Sequence, residues 1–224
     1  MVDKNITIKD VKNDTDVISY IAKADKVMEA IGYTEHGYRH ADLVSKIAFN
    51  ILDRLGYSKR EAEIAAIAGY LHDIGNMINR IHHYLSGAVI AGDILRRMGM
   101  NPEEVSIIMS AIGNHEEGSG FAIDPITAAL ILADKSDVHR SRVRRELTEI
   151  SFDIHDRVNY AATHSFLRVN NEEKKITLEI EIDTNISQVM DYFEIFLKRM
   201  TICRKAATTL GCEFEIIIND VKLL

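Results

Sequence analysis

Apolar residues recur every three or four positions over the first 135 residues, a pattern typical of amphipathic helices. Caps and glycines divide this part of the chain, since Asn101-Pro102 and Asp124-Pro125 are helix-start signals. The predicted helices run from about Asp14 to Ile31, from about His40 to Gly56, from Ser58 to Asp73, from about Tyr84 to Met98, from Asn101 towards His115, and from Asp124 to Lys135. Successive helices of this kind predict a mainly α fold with a bundle-like core.

Beyond about Asn171 the period of the apolar residues changes to two. Alternation over residues 176–182 and again over 214–218 predicts two strands, with a long helix from about Ser187 to Leu210 between them. We therefore expect a main helical domain over 14–165 and a small C-terminal α/β appendage over 171–224. A further strand over residues 5–11 is predicted to join the appendage.

The composition is that of a folded chain with one main core, because 46% of its 224 residues are apolar and only 2 are proline. No run approaches the roughly 18 apolar residues of a membrane span, and the first residues are too polar for a signal peptide, so we expect a cytoplasmic protein that does not enter membranes. Cys203 and Cys212 are then interpreted as reduced core residues. The net charge of -7 argues against a broad nucleic-acid-binding surface.

Four histidines and two aspartates lie at or near predicted helix ends, and together they have the composition of a metal site. Taken singly, such residues are usually helix caps or packed side chains. As a set, imidazole and carboxylate suit first-row transition metals and also Mg²⁺. Enough ligands are present for two ions that share a bridging carboxylate. The set is His40, His72, Asp73, His83, His115 and Asp134.

The residues around these positions resemble the metal-dependent phosphohydrolases of the HD superfamily. The similar segments occur in order as HGYRHADLV, YLHDIGN, HYLSGA, NHEEGSGF and ILADKSD, spanning about Glu35 to Arg145. The third and fourth segments resemble the binuclear branch, which includes the HD-GYP phosphodiesterases and the small hydrolases of dinucleoside tetraphosphates. Asn114 stands where HD-GYP proteins have a second histidine, and Asn76 where they have lysine, which argues against cleavage of cyclic dinucleotides.

The resemblance implies an HD-type helical core and a role for each metal-site residue. It makes His40, His72 and Asp134 ligands of a first ion, with Asp73 bridging. By the same resemblance, His83 and His115 hold a second ion. The expected cofactors are divalent transition metal ions, two in number, drawn from Fe, Mn, Co, Ni or Zn, with Mg as an alternative.

Phosphate recognition requires fixed positive charge near these ligands. Lys135 follows the last aspartate, and Arg142 would share a face with Asp134 if the helix continued. The alternative is that the basic run 139–145 caps the helix and faces solvent. His36 and Arg80 are further candidates for substrate binding. A second pair, His155-Asp156, lacks the preceding apolar helix and the following Ile-Gly, so no metal is assigned to it.

The predicted function is hydrolysis of a phosphate ester or phosphoanhydride of a nucleotide-like substrate by a metal-bound hydroxide. Asp73 would orient the water and Lys135 would hold the phosphate, as in a phosphatase, nucleotidase or phosphodiesterase. One alternative is a signalling or ligand-sensing module with a structural metal. Another is a mixed-valent di-iron oxygenase, which uses the same ligand types. The C-terminal strands would also suit a homodimer, although an intramolecular sheet explains the same pattern.

Overall fold

A computed structural model describes residues 5–144 and 153–223 of the chain. Two short 3₁₀ segments, Ile74–Met77 and Arg140–Arg142, accompany the helices. The helices are α1 Ile8–Asn13, α2 Thr15–Ala30, α3 Tyr38–Arg54, α4 Lys59–Leu71, α5 His83–Met98, α6 Pro102–Gly113, α7 Pro125–Lys135, α8 Ile154–Ala161 and α9 Val189–Thr209. The fold is mainly α with a small C-terminal sheet, which confirms the predicted class.

The helix starts follow the capping signals of the sequence. The Ser58 hydroxyl accepts the backbone N–H of Glu61, and the Glu61 carboxylate accepts the N–H of Ser58 in return. Asn101 and Asp124 each accept a backbone N–H ahead of a proline at the first position of α6 or α7. These caps place the first turns of the helices that lead towards the histidines.

The predicted N-terminal strand over residues 5–11 is wrong. Thr7 begins α1 through a capping box with Asp10, whose carboxylate accepts the Thr7 backbone N–H at 2.9 Å. Val11, on the inner face of α1, is fully buried and packs into the core. The short alternation of apolar residues was compatible with both structures, and the reciprocal cap favours the helix.

The sheet has the order β1-β2-β3-β4, with β1 at Ala162–Asn170, β2 at Lys175–Ile182, β3 at Glu213–Ile218 and β4 at Val221–Lys222. β1 and β2 are antiparallel, whereas β2 and β3 are parallel and α9 connects them. The strands at β2 and β3 confirm the two predicted ones. β1 was not predicted, because its side chains are only half-buried or exposed after Ala162 and show no clear apolar alternation.

One hydrophobic core extends through both parts of the chain. It includes Leu52 of α3, Leu130 of α7, Met200 of α9 and Ile216 of β3. α9 packs against α7 as well as against the sheet, so the C-terminal residues reach the end of α7 where Asp134 lies. Among the described residues, no helix combines the length and the apolar character that crossing a membrane requires.

Candidate metal centre

All six predicted metal-site residues converge on one buried cluster. His40 Nε2 lies 3.3 Å from His72 Nε2 and 3.3 Å from Asp134 Oδ1. His83 Nε2 lies 3.2 Å from His115 Nε2 and 3.2 Å from Asp73 Oδ1. The other oxygen of Asp73 is 3.4 Å from His72 Nε2, so this carboxylate lies between the two pairs of histidines.

The ends of separate helices bring these side chains together. His72 and Asp73 follow α4, His83 opens α5, His115 follows α6, and Asp134 is in the last turn of α7. The chain can turn so tightly after Asp73 because Gly75 has no side chain. A Cβ added at Gly75 would lie 2.0 Å from the carbonyl oxygen of His83.

Each of the four histidines has an oxygen atom against its Nδ1. Asp137 Oδ2 lies 2.7 Å from Nδ1 of His40, and the other three rings meet backbone carbonyls at distances between 2.6 and 3.1 Å. Since carbonyls and carboxylates only accept hydrogen bonds, the proton of the neutral ring belongs on Nδ1 in His40, His72 and His115, whereas both ring nitrogens of His83 also contact the Arg80 guanidinium. The Nε2 lone pairs then point into the cluster, which is the tautomer that metal ligation through Nε2 requires.

This arrangement fits a bound cation. Four Nε2 lone pairs and two buried carboxylates face one another at short range, and acceptors in such contact repel unless positive charge lies between them. Three groups of side chains have ligand atoms close enough to share an ion: His40 with His72 and Asp134, His72 with Asp73 and His115, and His83 with His115 and Glu116. The donor set therefore suits divalent transition metals.

The pKa shifts show that the cluster favours positive charge: burial opposes the charge of His72, but Asp73 and Asp134 outweigh burial and raise the pKa of His72. Burial alone would raise the pKa of Asp73, but His72 and His83 outweigh it and hold the pKa well below its usual range. Burial, followed by the neighbouring His72 and His83, lowers the pKa of His115 well below its usual value, which keeps that ring neutral. The cluster thus presents ionised oxygens together with an imidazole available as a ligand.

Lys135 lies beside the cluster, with its ammonium 2.7 Å from Asp134 Oδ2. Burial opposes its charge, but Asp134, Glu117 and Glu116 outweigh burial and raise the pKa of Lys135. The side chain is therefore a fixed cation next to the metal ligands. Its predicted role in binding phosphate stays a prediction.

Glu116 belongs to the cluster and was not among the predicted residues. Its Oε2 lies 3.9 Å from His83 Nε2 and 3.9 Å from the Lys135 ammonium. The acidic pair directly after His115 was the available signal in the sequence. Glu116 can complete a ligand set with His83 and His115.

A cavity of about 450 Å³ adjoins the cluster. His36 and Arg80 both line it, and both lie against ligands: the rings of His36 and His40 are 5.6 Å apart, and an Arg80 nitrogen is 3.1 Å from the His83 ring nitrogens. Burial, then the charge of Arg142, lowers the pKa of His36 well below its usual value. His36 therefore offers a neutral polar edge to this cavity.

The C-terminal helix supplies part of the cavity wall. Arg199 of α9 lies 3.4 Å from Glu117 and stacks over the Phe196 ring at 4.2 Å from its centre. Phe196 and Arg199 both line the cavity. Tyr33 and Arg80, from the N-terminal part of the chain, also line it and contact each other. The sequence did not predict Arg199 because nothing in the local pattern of α9 links it to a site formed by earlier segments of the chain.

The expected continuation of the helix beyond Asp134 is wrong, since α7 ends at Lys135 and a separate 3₁₀ segment carries Arg142. The Arg142 guanidinium donates to the carbonyls of Asp137 and Glu35 and contacts His36 Nε2 at 3.1 Å. A buried guanidinium needs hydrogen-bond acceptors for its N–H groups, and the carbonyl oxygens of Asp137 and Glu35 provide them. Arg142 lines the cavity, with a side chain that is only 5% exposed. Its predicted contact with substrate stays a prediction.

His155 and Asp156 also line the cavity and belong to none of the ligand groups found among the described residues. The part of the run 139–145 beyond residue 144 lies outside the described residues. Arg144 is paired with Asp25. This arginine thus forms an ion pair with α2.

Comparison with known proteins agrees with this geometry. The chain is similar to an uncharacterized protein of Methanocaldococcus jannaschii, with 28% identity over 172 residues that cover 67% of this chain and 65% of the relative. The chain thus matches less than two thirds of that relative's length. The family model described as "HD domain" matches residues 37–194, which include all six metal-site residues and the first turns of α9. The chain therefore belongs to the HD domain family, whose members are in general metal-dependent phosphohydrolases.

Proposed function

We propose that this protein hydrolyses a phosphate ester or phosphoanhydride of a nucleotide-like molecule, with two divalent metal ions in the cluster. The observation that carries the proposal is the cavity of about 450 Å³ beside the cluster, whose wall combines arginines with aromatic side chains. One arginine guanidinium can donate two parallel hydrogen bonds to two phosphate oxygens, and aromatic rings stack on nucleobases. A site of this size is within the usual range for small ligands.

The ligand groups support two ion positions. His40, His72 and Asp134 would hold one ion, and His83 and His115 with Glu116 the other, with Asp73 between them. Such ions lower the pKa of a bound water and stabilise charge on phosphoryl oxygens. The protein itself orients the ligands through the Nδ1 contacts and keeps the Lys135 cation beside Asp134.

The remaining residues would bind and orient the substrate. Arg80 and Arg199 approach the cavity from different elements, so they can hold a phosphate group between them. Phe196 and Tyr33 offer ring faces for a planar base. Phosphate recognition of this kind favours a hydrolase over an oxygenase, for which no phosphate contact is needed.

The test is a turnover screen on protein loaded separately with each candidate metal. Substrates would include nucleoside mono-, di- and triphosphates, dinucleoside polyphosphates and p-nitrophenyl phosphate, with released phosphate and nucleotide products measured directly. Metal content per chain should be about two and should fall to about one in His83→Ala. Retention of the same single ion in both proteins would refute the binuclear part of the proposal.

Variants separate the roles of ligand and substrate residues. Asp73→Ala should lose metal and turnover while keeping its helical circular dichroism, and full activity in this variant would refute the site. Arg199→Ala should raise KM about tenfold or more with metal content unchanged, because one charged contact to phosphate is worth about 1.5–3 kcal/mol. The matched control is Arg204→Ala, on an exposed position of the same helix. Equal KM values in these two variants would remove Arg199 from the substrate site.

A further inference from the structure

A second cavity, of about 580 Å³, lies between α3 and the edge strand β1. The residues that line it are all different from those that line the cavity proposed for substrate. The size is within the range of small-molecule sites. This cavity therefore needs an explanation of its own.

Two rows of side chains on α3 give the cavity an amphipathic character. Leu43, Ile47 and Ile51 follow one another at four-residue spacing and form an apolar row. Lys46 and Arg54 belong to the neighbouring row, eight residues apart and about 12 Å along the helix axis. On the opposite side, Leu167 and Val169 of β1 continue the apolar surface. A ligand here would meet an apolar floor with a basic rim.

Among the described residues of the wall, cations outnumber carboxylates although the chain as a whole has a net charge of -7; of these cations, Arg39 is paired with Glu35 and Asp137, and Arg168 with Glu179. The arginines and lysine of the wall are Arg39, Lys46, Arg54 and Arg168, while Asp137 is its single acidic residue. The Asp137 carboxylate is already engaged by Arg39 and His40. Within residues 5–144 and 153–223, neither Lys46 nor Arg54 has an ion-pair partner.

These features select the class of ligand. One carboxylate would satisfy a single arginine, whereas Lys46 and Arg54, the two cations of this rim that form no ion pair among the described residues, match an anion with more than one charge. The apolar rows suit a flat, weakly polar body. A nucleoside diphosphate or triphosphate has both parts, with the phosphates at the Lys46–Arg54 rim and the base against Leu43 and Leu167.

The wall of this cavity is connected to the metal centre through two hydrogen bonds. Arg39 donates to Asp137 Oδ2 at 2.9 Å, and the same oxygen accepts the Nδ1 proton of His40 at 2.7 Å. A phosphate that attracted Arg39 would change the charge that Asp137 presents to His40. Groups that orient a ligand histidine commonly alter metal affinity by 10–100-fold when they are changed.

We propose that the cavity between α3 and β1 is a regulatory site for a nucleoside polyphosphate, coupled to the metal centre through Arg39 and Asp137. The binding part is independent of the proposed hydrolase activity. The coupling part rests on the metal site of that proposal. Because coupling between two sites is reciprocal, metal at the cluster should change nucleotide affinity by the same factor as nucleotide changes metal affinity.

The experiment measures fluorescence anisotropy of a labelled α,β-methylene-ADP, whose bridging carbon resists cleavage between its two phosphorus atoms. In the presence of a chelator, wild-type protein should bind it, and Lys46→Glu/Arg54→Glu should weaken binding at least tenfold. Lys23→Glu, an exposed lysine on α2, is the matched control and should bind as the wild type does. Circular dichroism and the unfolding midpoint of each variant exclude a folding defect.

Each outcome decides a separate part. No binding, or binding that is lost in Arg80→Ala but kept in Lys46→Glu/Arg54→Glu, overturns the new site, since the probe would then occupy the substrate cavity or neither cavity. The dissociation constant of the labelled nucleotide should differ at least fivefold between metal-loaded, desalted protein and chelated protein. Equal constants would overturn the coupling. A dimer in light scattering that dissociates in the double variant would also overturn the proposal, because the cavity would then be a contact between copies. Absence of turnover in the wild type would refute the hydrolase and leave the binding result intact.

Discussion

Replacing Asp137 with asparagine tests whether the tautomer of His40 controls metal affinity. The Asp137 side chain is 1% exposed, and its two oxygens serve His40 and Arg39. Asparagine has nearly the same volume, so the substitution leaves no cavity. It offers one acceptor oxygen in place of two, and its NH₂ group would face a donor.

The expected loss follows from these contacts. If the amide oxygen stays with His40, the Nδ1 proton keeps its place but loses a charged acceptor, and if it turns to Arg39, the imidazole can adopt the wrong tautomer. Either change weakens ligation by about 10–100-fold, or about 1.4–2.8 kcal/mol. Stability without metal should fall by about 1–3 kcal/mol, towards the lower value because Arg39 is partly exposed and keeps Glu35 at 2.9 Å.

The assay is competition for Zn²⁺ against a chromogenic chelator, combined with urea unfolding of chelated protein. Asp53→Asn provides the control, since that carboxylate forms a surface ion pair with Lys59 and should change neither quantity by more than about 1 kcal/mol. Metal affinity equal to wild type in Asp137→Asn would refute the argument that Asp137 sets the state of His40. A loss of stability alone would show that Asp137 acts only as a partner of Arg39.

Three further outcomes are expected. Gly75→Ala should reduce metal content and destabilise the protein by about 1–3 kcal/mol, because the new Cβ would displace the His83 backbone. The control Gly118→Ala should do neither, since a Cβ there meets nothing within 4 Å. Equal metal contents in the two variants would contradict this role of Gly75. His155→Ala should keep the full metal content, and a loss there would show that the His155-Asp156 pair holds metal. Burial raises the pKa of the Cys203 thiol to about 12, so at pH 8 it should stay protonated and react with Ellman's reagent only after unfolding; rapid reaction in the folded protein would disagree with its burial.

The metal-site residues could be predicted from the sequence because each lies in a short segment with its own signature. His72 and Asp73 stand at the end of an apolar helix, and a residue before a helix-breaking glycine can be located without knowing the fold. The expectation that these residues form one site came from the resemblance to the HD superfamily, because periodicity alone does not bring separate helices together. The assignment of each residue to a particular ion stays a prediction.

The parts that were missed depend on contacts between distant segments. β1 is an edge strand whose burial is partial, so its sequence lacks the alternation that identified β2. Residues 5–11 alternate like a strand, yet a reciprocal cap between Thr7 and Asp10 makes them a helix. Arg199 reaches the cavity only because α9 packs on α7, a tertiary contact with no local signal.

The partners of the four histidines differ in how they respond to mutation. Gly69, Arg80 and Ile112 hold His72, His83 and His115 with carbonyl oxygens of the main chain, which every amino acid possesses. These backbone contacts therefore survive substitution of the partner, although replacing Arg80 would also remove a side-chain contact with His83. His40 is held instead by a side-chain carboxylate, that of Asp137. Evolution can consequently adjust the metal centre by a single replacement at position 137 without altering any ligand.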